Sequence, residues 1–157
     1  MSTWFTSDLH FGHVNIIQYS GRPFTDVDQM NTSLIDRWNA LVQPGDDVWV
    51  LGDVAMGHIA DTLPLVGRLA GYKRLLAGNH DRCWDGLGSR AAEWTQRYLD
   101  AGFAEVHQGA IAMTVGSHDV LACHFPYRGD SQGLDRYPQA RPPDTGGWLL
   151  HGHVHEL

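Results

Sequence analysis

Apolar positions along the chain follow two different periods, and short polar words interrupt them at regular places. Seven brief runs are rich in β-branched, aromatic and aliphatic residues: Thr3 to Thr6, Asp47 to Leu51, Lys73 to Ala77, Glu105 to His107, Ile111 to Val115, Asp119 to Cys123 and Trp148 to Leu150. Their length and composition predict strands, with Gly116-Ser117 as a hairpin turn. Elsewhere the period lengthens. Val27, Met30, Leu34, Trp38 and Leu41 recur at steps of three and four, which predicts a helix closed by Pro44-Gly45, with Thr25 and Asp28 as its capping box. Ala91, Trp94, Tyr98 and Ala101 predict a second helix over 89–101, stopped at Gly102, whose Trp94 and Tyr98 belong to the core. Ile59 to Leu69 predicts a weaker helix carrying Pro64. Tyr127 to Gly146 has no periodicity and reads as a long loop, of a length that is uncommon unless it serves a function.

Strands interspersed with amphipathic helices imply a layered α/β domain. The polar words stand where the apolar runs end: Asp8-Leu9-His10, Gly52-Asp53, Gly78-Asn79-His80-Asp81, His124 and Gly152-His153-Val154-His155. Metal-ligand side chains at the C-terminal ends of several strands point to one composite site, where open α/β sheets place their chemistry. In an extended chain Asp8 and His10 alternate and face the same side, as do His153 and His155, whereas neighbouring Asn79 and His80 must divide their roles. A glycine before Asp53 lets the backbone approach an ion that a Cβ would crowd. Two carboxylates, one amide oxygen and four imidazoles suit manganese, iron, zinc or nickel better than an all-oxygen magnesium or calcium cage.

Composition narrows the setting. A chain of 157 residues with 43% hydrophobic content makes one domain with a substantial core. The formal net charge of −7 argues against a stable nucleic-acid partner. Cys83 and Cys123 are too few for a disulfide framework, no leader-like segment opens the chain, and no run of 18 apolar residues occurs. A cytoplasmic protein with no membrane partner is the expectation; oligomeric state stays open. Ten histidines stand against eleven Lys plus Arg, and half of them lie in the words above. His58, His107, His118 and His151 are read as ordinary surface histidines.

Spaced as D-x-H, GD, GNHD, H and GHxH, the words resemble the signature of the calcineurin-like metallophosphoesterase superfamily. Phrases such as SDLHFGH and LLHGHVH place the resemblance nearest its small bacterial and phage-type phosphoesterases. The resemblance implies a four-layer α-β-β-α sandwich with two mixed β-sheets. It implies one domain over 1–157, expected to lack the strands that usually follow the last motif. It also implies hydrolysis of phosphate esters with two divalent metal ions, manganese ahead of iron, zinc or nickel. Asp8, His10 and His155 would hold one ion and Asn79, His124 and His153 the other, with Asp53 bridging them. A shared hydroxide would attack phosphorus, His80 would serve as general acid, and Asp81 would steady the Asn79-His80 turn. The substrate would be a small phosphate ester or nucleotide-like molecule, diesters ahead of monoesters.

His13, Arg22 and Arg128 are candidates for phosphate contact, because imidazole and guanidinium present suitable donors. The stretch from Gly52 to Gly57 lacks the second Asp and the Arg of the GDxVDRG motif, which separates this chain from the protein Ser/Thr phosphatases. The alternative reading is a non-catalytic interaction module on the same fold. Retention of all seven ligand residues weighs against it.

Overall fold

The computed structural model describes residues 1–130 and 133–155. Its first sheet has the order β1-β2-β3-β4 and consists of β1 (Thr3–Thr6), β2 (Asp47–Val50), β3 (Tyr72–Leu76) and β4 (Glu105–His107), all parallel. The second has the order β5-β6-β7: β5 (Ala110–Val115) and β6 (His118–Cys123) form an antiparallel hairpin, and β7 (Trp148–Leu150) lies parallel to β6. Helices α1 (Ile16–Tyr19), α2 (Val27–Leu41), α3 (Ile59–Thr62) and α4 (Ala91–Asp100) occupy the connections of the first sheet.

Strand β2 shows why the sheets stack. Val48 and Val50 join the core that holds Ile35 and Trp38 of α2 and Tyr98 of α4. Trp49 and the following Leu51 face the other way, with Leu76, Ala122, Ile111, Met113 and Leu150. A parallel sheet covered on both faces reads as a continuous apolar run, which is how β2 stands in the sequence. Two sheets packed face to face and flanked by helices form the calcineurin-like arrangement implied by the motifs. Mixed pairing is confined to the second sheet. After β4 the helical element among the described residues is a 3-10 turn, Pro138–Ala140, so the helical cover is concentrated on the first sheet.

Three local details differ from the sequence reading. The cap of α2 is Asp26, one residue beyond Thr25: its carboxylate accepts from the Gln29 N–H at 2.8 Å, while the Gln29 side chain accepts from the Thr25 N–H at 2.7 Å. Ile59 to Leu69 divides into α3 and a 3-10 turn, Leu63–Arg68, because Pro64 has no N–H to continue an α-helical ladder. Tyr98 is fully buried as expected, but Trp94 is only partly covered, with the guanidinium groups of Arg82 and Arg97 over its ring. The loop from Tyr127 to Gly146 contains the 3-10 turn, and Ser131 and Gln132 within it lie outside the described residues. No described helix is long and apolar enough to cross a membrane.

Candidate metal centre

Parallel strands deliver their C-terminal ends to one edge, and the polar words gather there. Asp8 follows β1, Asp53 follows β2, Asn79 follows β3, His124 follows β6 and His153 follows β7. Pairing between the first two words continues past the strands: the Asp8 N–H donates to Gly52 O at 2.9 Å and the His10 N–H to Asp53 O at 3.0 Å. The Gly152 N–H donates to His124 O at 3.0 Å, joining the last two words.

The backbone of these words is not extended, which corrects the alternation expected from sequence. Asp8, His10, Asp53, His153 and His155 have φ values of 53°, 54°, 57°, 70° and 54°. Among the described non-glycine residues only Tyr137 shares that left-handed region. Each such residue costs about 1–2 kcal/mol, and strain of this kind concentrates at functional sites. Asn79 and His80 sit in a turn closed by the Asp81 N–H on Gly78 O at 3.0 Å, so the turn, not strand alternation, separates their side chains.

Donor atoms converge as two clusters that share Asp8: one of Asp8, His10 and His155, the other of Asp8, Asp53 and His124. In the first, His10 Nε2 lies 3.2 Å from His155 Nε2, and Asp8 Oδ1 lies 3.6 and 3.5 Å from these two nitrogens. Ligands about 2.1 Å from one ion stand roughly 3.0–3.4 Å apart, so these separations are close to those of a coordination sphere. Asp53 Oδ2, in the second cluster, lies 3.5 Å from His124 Nε2 and 4.0 Å from His10 Nε2 of the first. Asn79 Oδ1 extends the second cluster, 3.1 Å from His124 Nε2 and 2.9 Å from His153 Nδ1.

Hydrogen bonds fix which nitrogens face inward. His124 Nδ1 donates to Leu51 O at 2.7 Å, so Nε2 is the nitrogen turned toward Asn79 and Asp53. His153 Nε2 lies 2.8 Å from Asp130 Oδ2, which leaves Nδ1 facing Asn79. Carboxylate, amide and imidazole donor atoms thus converge on one small space. The donor set therefore fits divalent metal ions, as nitrogen and oxygen ligands with outer hydrogen-bonded partners do elsewhere.

Charge and burial give the same picture. Burial pushes the Asp53 carboxyl up to about 7; His124 opposes the rise, and Asp81 and Asp8 add to it. Burial would raise Asp8 too, but His10, His124 and the Ser7 hydroxyl hold it well below the carboxylate range. Burial lowers His10 and His153 against the pull of Asp8 and Asp130, respectively. His80, pushed down to about 4 by partial burial and by His10, His13, His124 and Arg136, is neutral at pH 7.

Asp81 is fully buried and tied to the backbone of two words. Its Oδ2 accepts from the Asp53 and Gly78 N–H groups, each at 2.9 Å, and its Oδ1 from the Val54 N–H at 3.0 Å, tying two words together. Glycines make the close packing feasible. A Cβ on Gly52 would strike the His124 ring, one on Gly78 would strike Asp53 and His124, and one on Gly152 would strike Asp8 and Ser7. The crowding partner is another site residue, a tighter constraint than the approach to an ion expected at Gly52.

A cleft of about 410 Å³ opens over the clusters, lined by His10, Asp53, His80, His153, His155 and Arg136 on its polar side. His13 lines it too. Arg22 does not. Its guanidinium donates to the main-chain carbonyls of Asp8 and Leu9 at 2.7 and 3.0 Å and so holds the first word in place. Arg128 is exposed and lines a separate depression with Asp144, Trp148 and His151. The long loop does bring an arginine to the cleft, but it is Arg136. Asp130 holds it through Oδ1, 3.0 Å from Nε and 2.6 Å from Nη2, and also accepts from Arg141. Nothing in the spacing of the sequence singles out Asp130 or Arg136; an aperiodic but charged loop directly after His124 is the one trace they leave.

No protein-family model matches the chain. It is 35% identical over 161 residues to the Gene 66 protein of Mycobacterium phage L5, covering 98% of this chain and 77% of that protein. It is 36% identical over 160 residues to the Gene 66 protein of Mycobacterium phage D29, covering 98% and 78%. Uncharacterized protein MJ1445 of Methanocaldococcus jannaschii is 40% identical over 151 residues, which cover 95% of this chain and 66% of that protein. The crystal structure of AQ665, a protein of unknown function from Aquifex aeolicus, superposes with a TM-score of 0.71 at 20% identity, over 99% of this chain and 91% of that one. That likeness concerns the fold.

Proposed function

The chain belongs to the family of the mycobacteriophage Gene 66 proteins, and we propose that it is a metal-dependent phosphoesterase of the small phage and bacterial type. The observation that carries the reading is the convergence of Asp8, His10, His155, Asp53 and His124 in two adjoining clusters beneath an open cleft. One position would be held by Asp8, His10 and His155, the other by Asn79, His124 and His153, with Asp53 between them. Two divalent cations, manganese first and iron, zinc or nickel as alternatives, supply charge neutralisation for phosphoryl oxygens and ionisation of a water at neutral pH.

The protein's own groups do the rest. Asp81 and Arg22 hold the words at the distances that ligation requires. Asp130 orients His153 so that Nδ1 faces inward. Arg136, held by Asp130 through Nε and Nη2, puts its positive charge on the cleft wall, where it attracts a phosphoryl oxygen. His80 is neutral in the free protein, so it acts first as a hydrogen-bond donor to the phosphoryl group. It becomes a general acid only once bound phosphate raises its proton affinity. Phosphodiesters are favoured over monoesters as substrates.

The direct test is hydrolysis of bis-p-nitrophenyl phosphate and p-nitrophenyl phosphate by chelator-treated protein, before and after manganese is returned. Metal-dependent release of p-nitrophenolate, faster from the diester, is the expected result. Manganese binding without turnover of either ester would favour the non-catalytic module instead.

A further inference from the structure

Helical periodicity assigns Trp94 to the core, yet its ring is only partly covered and lines a groove of about 410 Å³ beside α4. Ile59, Leu63 and Pro64, from α3 and the 3-10 turn after it, form one side of that groove; Trp94, Arg97 and Ala101 form the other. Positions 94, 97 and 101 recur at steps of three and four, so they share one face of the chain's helical path. Ile59 and Leu63 are buried and give the groove an apolar floor, while Pro64 and Arg97 are exposed at its rim. No lining residue is shared with the cleft over the metal clusters. The guanidinium carbons of Arg97 and Arg82 lie 4.3 and 4.6 Å from the centre of the Trp94 ring. Neither guanidinium has a carboxylate partner among the described residues, whereas Arg74, Arg136 and Arg141 do.

From this arrangement we infer that the groove docks a partner protein through an acidic amphipathic segment, its apolar side chains between Leu63 and Trp94 and its carboxylates on Arg82 and Arg97. The inference concerns a surface outside the metal centre and does not rest on the phosphoesterase reading. Tryptophan and arginine are the side chains that most often carry binding energy at protein interfaces, and here they stand together beside apolar surface. Charge complementarity selects the partner. The chain has a formal net charge of −7, so two unpaired cations side by side mark a place where an acidic segment is attracted rather than repelled. A guanidinium over an aromatic ring keeps its in-plane N–H groups for a carboxylate. Asp100, the last residue of α4, also lines the groove and accepts from Gln96 at 2.8 Å. Its negative charge keeps the partner's carboxylates at the arginine end and so sets the direction in which the segment lies. A small organic anion would be covered on one face only, because the rim at Pro64 and Arg97 is open, whereas a docked peptide segment needs just such a one-sided surface. From Trp94 to Ala101 the helical path rises roughly 10 Å, room for two apolar side chains one turn apart.

Fluorescence anisotropy tests this with a fluorescein-labelled peptide of glutamates with leucines at steps of three and four, and with two twins. One twin has glutamine for glutamate, the other serine for leucine. The acidic leucine peptide should bind at least about tenfold more tightly than either twin, the scale of one charge-assisted hydrogen bond or one buried leucine. Arg97→Glu and Trp94→Ala should each weaken it by about tenfold or more. Arg37→Glu, the same charge change over the Phe24 ring outside the groove, should keep the affinity within about twofold. Trp94 also packs on the core, so Trp94→Ala counts only with a wild-type circular dichroism spectrum; Arg97 is exposed, and Arg97→Glu carries the test by itself otherwise. No binding of the acidic leucine peptide, equal binding of either twin, an affinity that Arg97→Glu leaves unmoved, or equal weakening by Arg37→Glu would overturn the inference.

Discussion

Asp130 Oδ2 lies 2.8 Å from His153 Nε2, and the same carboxylate is held by Arg136 and Arg141 with no exposure of its own side chain. The contact reaches from the long loop to the last motif and decides which nitrogen of His153 faces the cluster. A carboxylate behind a ligating imidazole fixes its tautomer and raises its basicity, and loss of such a partner costs about 10–100-fold in metal affinity. Asp130→Asn should therefore weaken one manganese position by about that factor and leave the position of Asp8, His10 and His155 nearly unchanged. A calorimetric titration that matches the wild type at both positions would show that His153 is oriented by something else.

Asp53 gives a prediction in which activity and stability move in opposite directions. Its carboxyl is pushed up to about 7, above the ordinary value of about 4, so the folded state keeps that proton to higher pH than the unfolded chain does. Ionising it as pH rises through that window costs folding stability; the cost is absent below about pH 4 and complete above about pH 7. In chelator-treated protein at pH 8, Asp53→Asn should raise Tm by about 2 °C or more, the scale of 1 kcal/mol in a domain of this size, and the gain should vanish toward pH 4. The same variant should lose manganese binding and ester hydrolysis. A lower Tm at pH 8 would show that the ionised carboxylate is welcome in the fold without metal.

Two arginines of the long loop separate the sequence expectation from the structure. Arg136 lines the cleft and Arg128 faces away from it. Arg136→Ala should lower kcat/KM by about tenfold or more, the scale of one charge-assisted hydrogen bond, whereas Arg128→Ala should change it less than twofold. Steady-state kinetics on bis-p-nitrophenyl phosphate would decide, and the reverse ranking would return the phosphate contact to Arg128.

Most of the architecture was legible because strands and helices announce themselves by period. β1, β4 and β7 have the bounds read from sequence, β2, β5 and β6 differ by a residue at one end, and β3 is shifted by one residue. Ligand candidates were equally legible, since Asp8, Asp53, Asn79, His124 and His153 follow strand ends where apolar runs stop. The path of the backbone between them was not. Left-handed φ at Asp8, His10 and Asp53 is imposed by packing that no local propensity records, so strand alternation was the wrong rule there. The outer partners were hidden for another reason. Asp130 reaches His153 across 23 positions of sequence through an aperiodic loop, and Arg22 and Arg128 look alike until their surroundings are known.

The central claim is that this edge of the fold holds two divalent cations side by side. Anomalous X-ray scattering from crystals of the protein soaked in manganese measures that directly. The account predicts two peaks roughly 3.5–4 Å apart, one against Asp8, His10 and His155 and one against Asn79, His124 and His153, with Asp53 between them. A single peak, or peaks away from these residues, would contradict it.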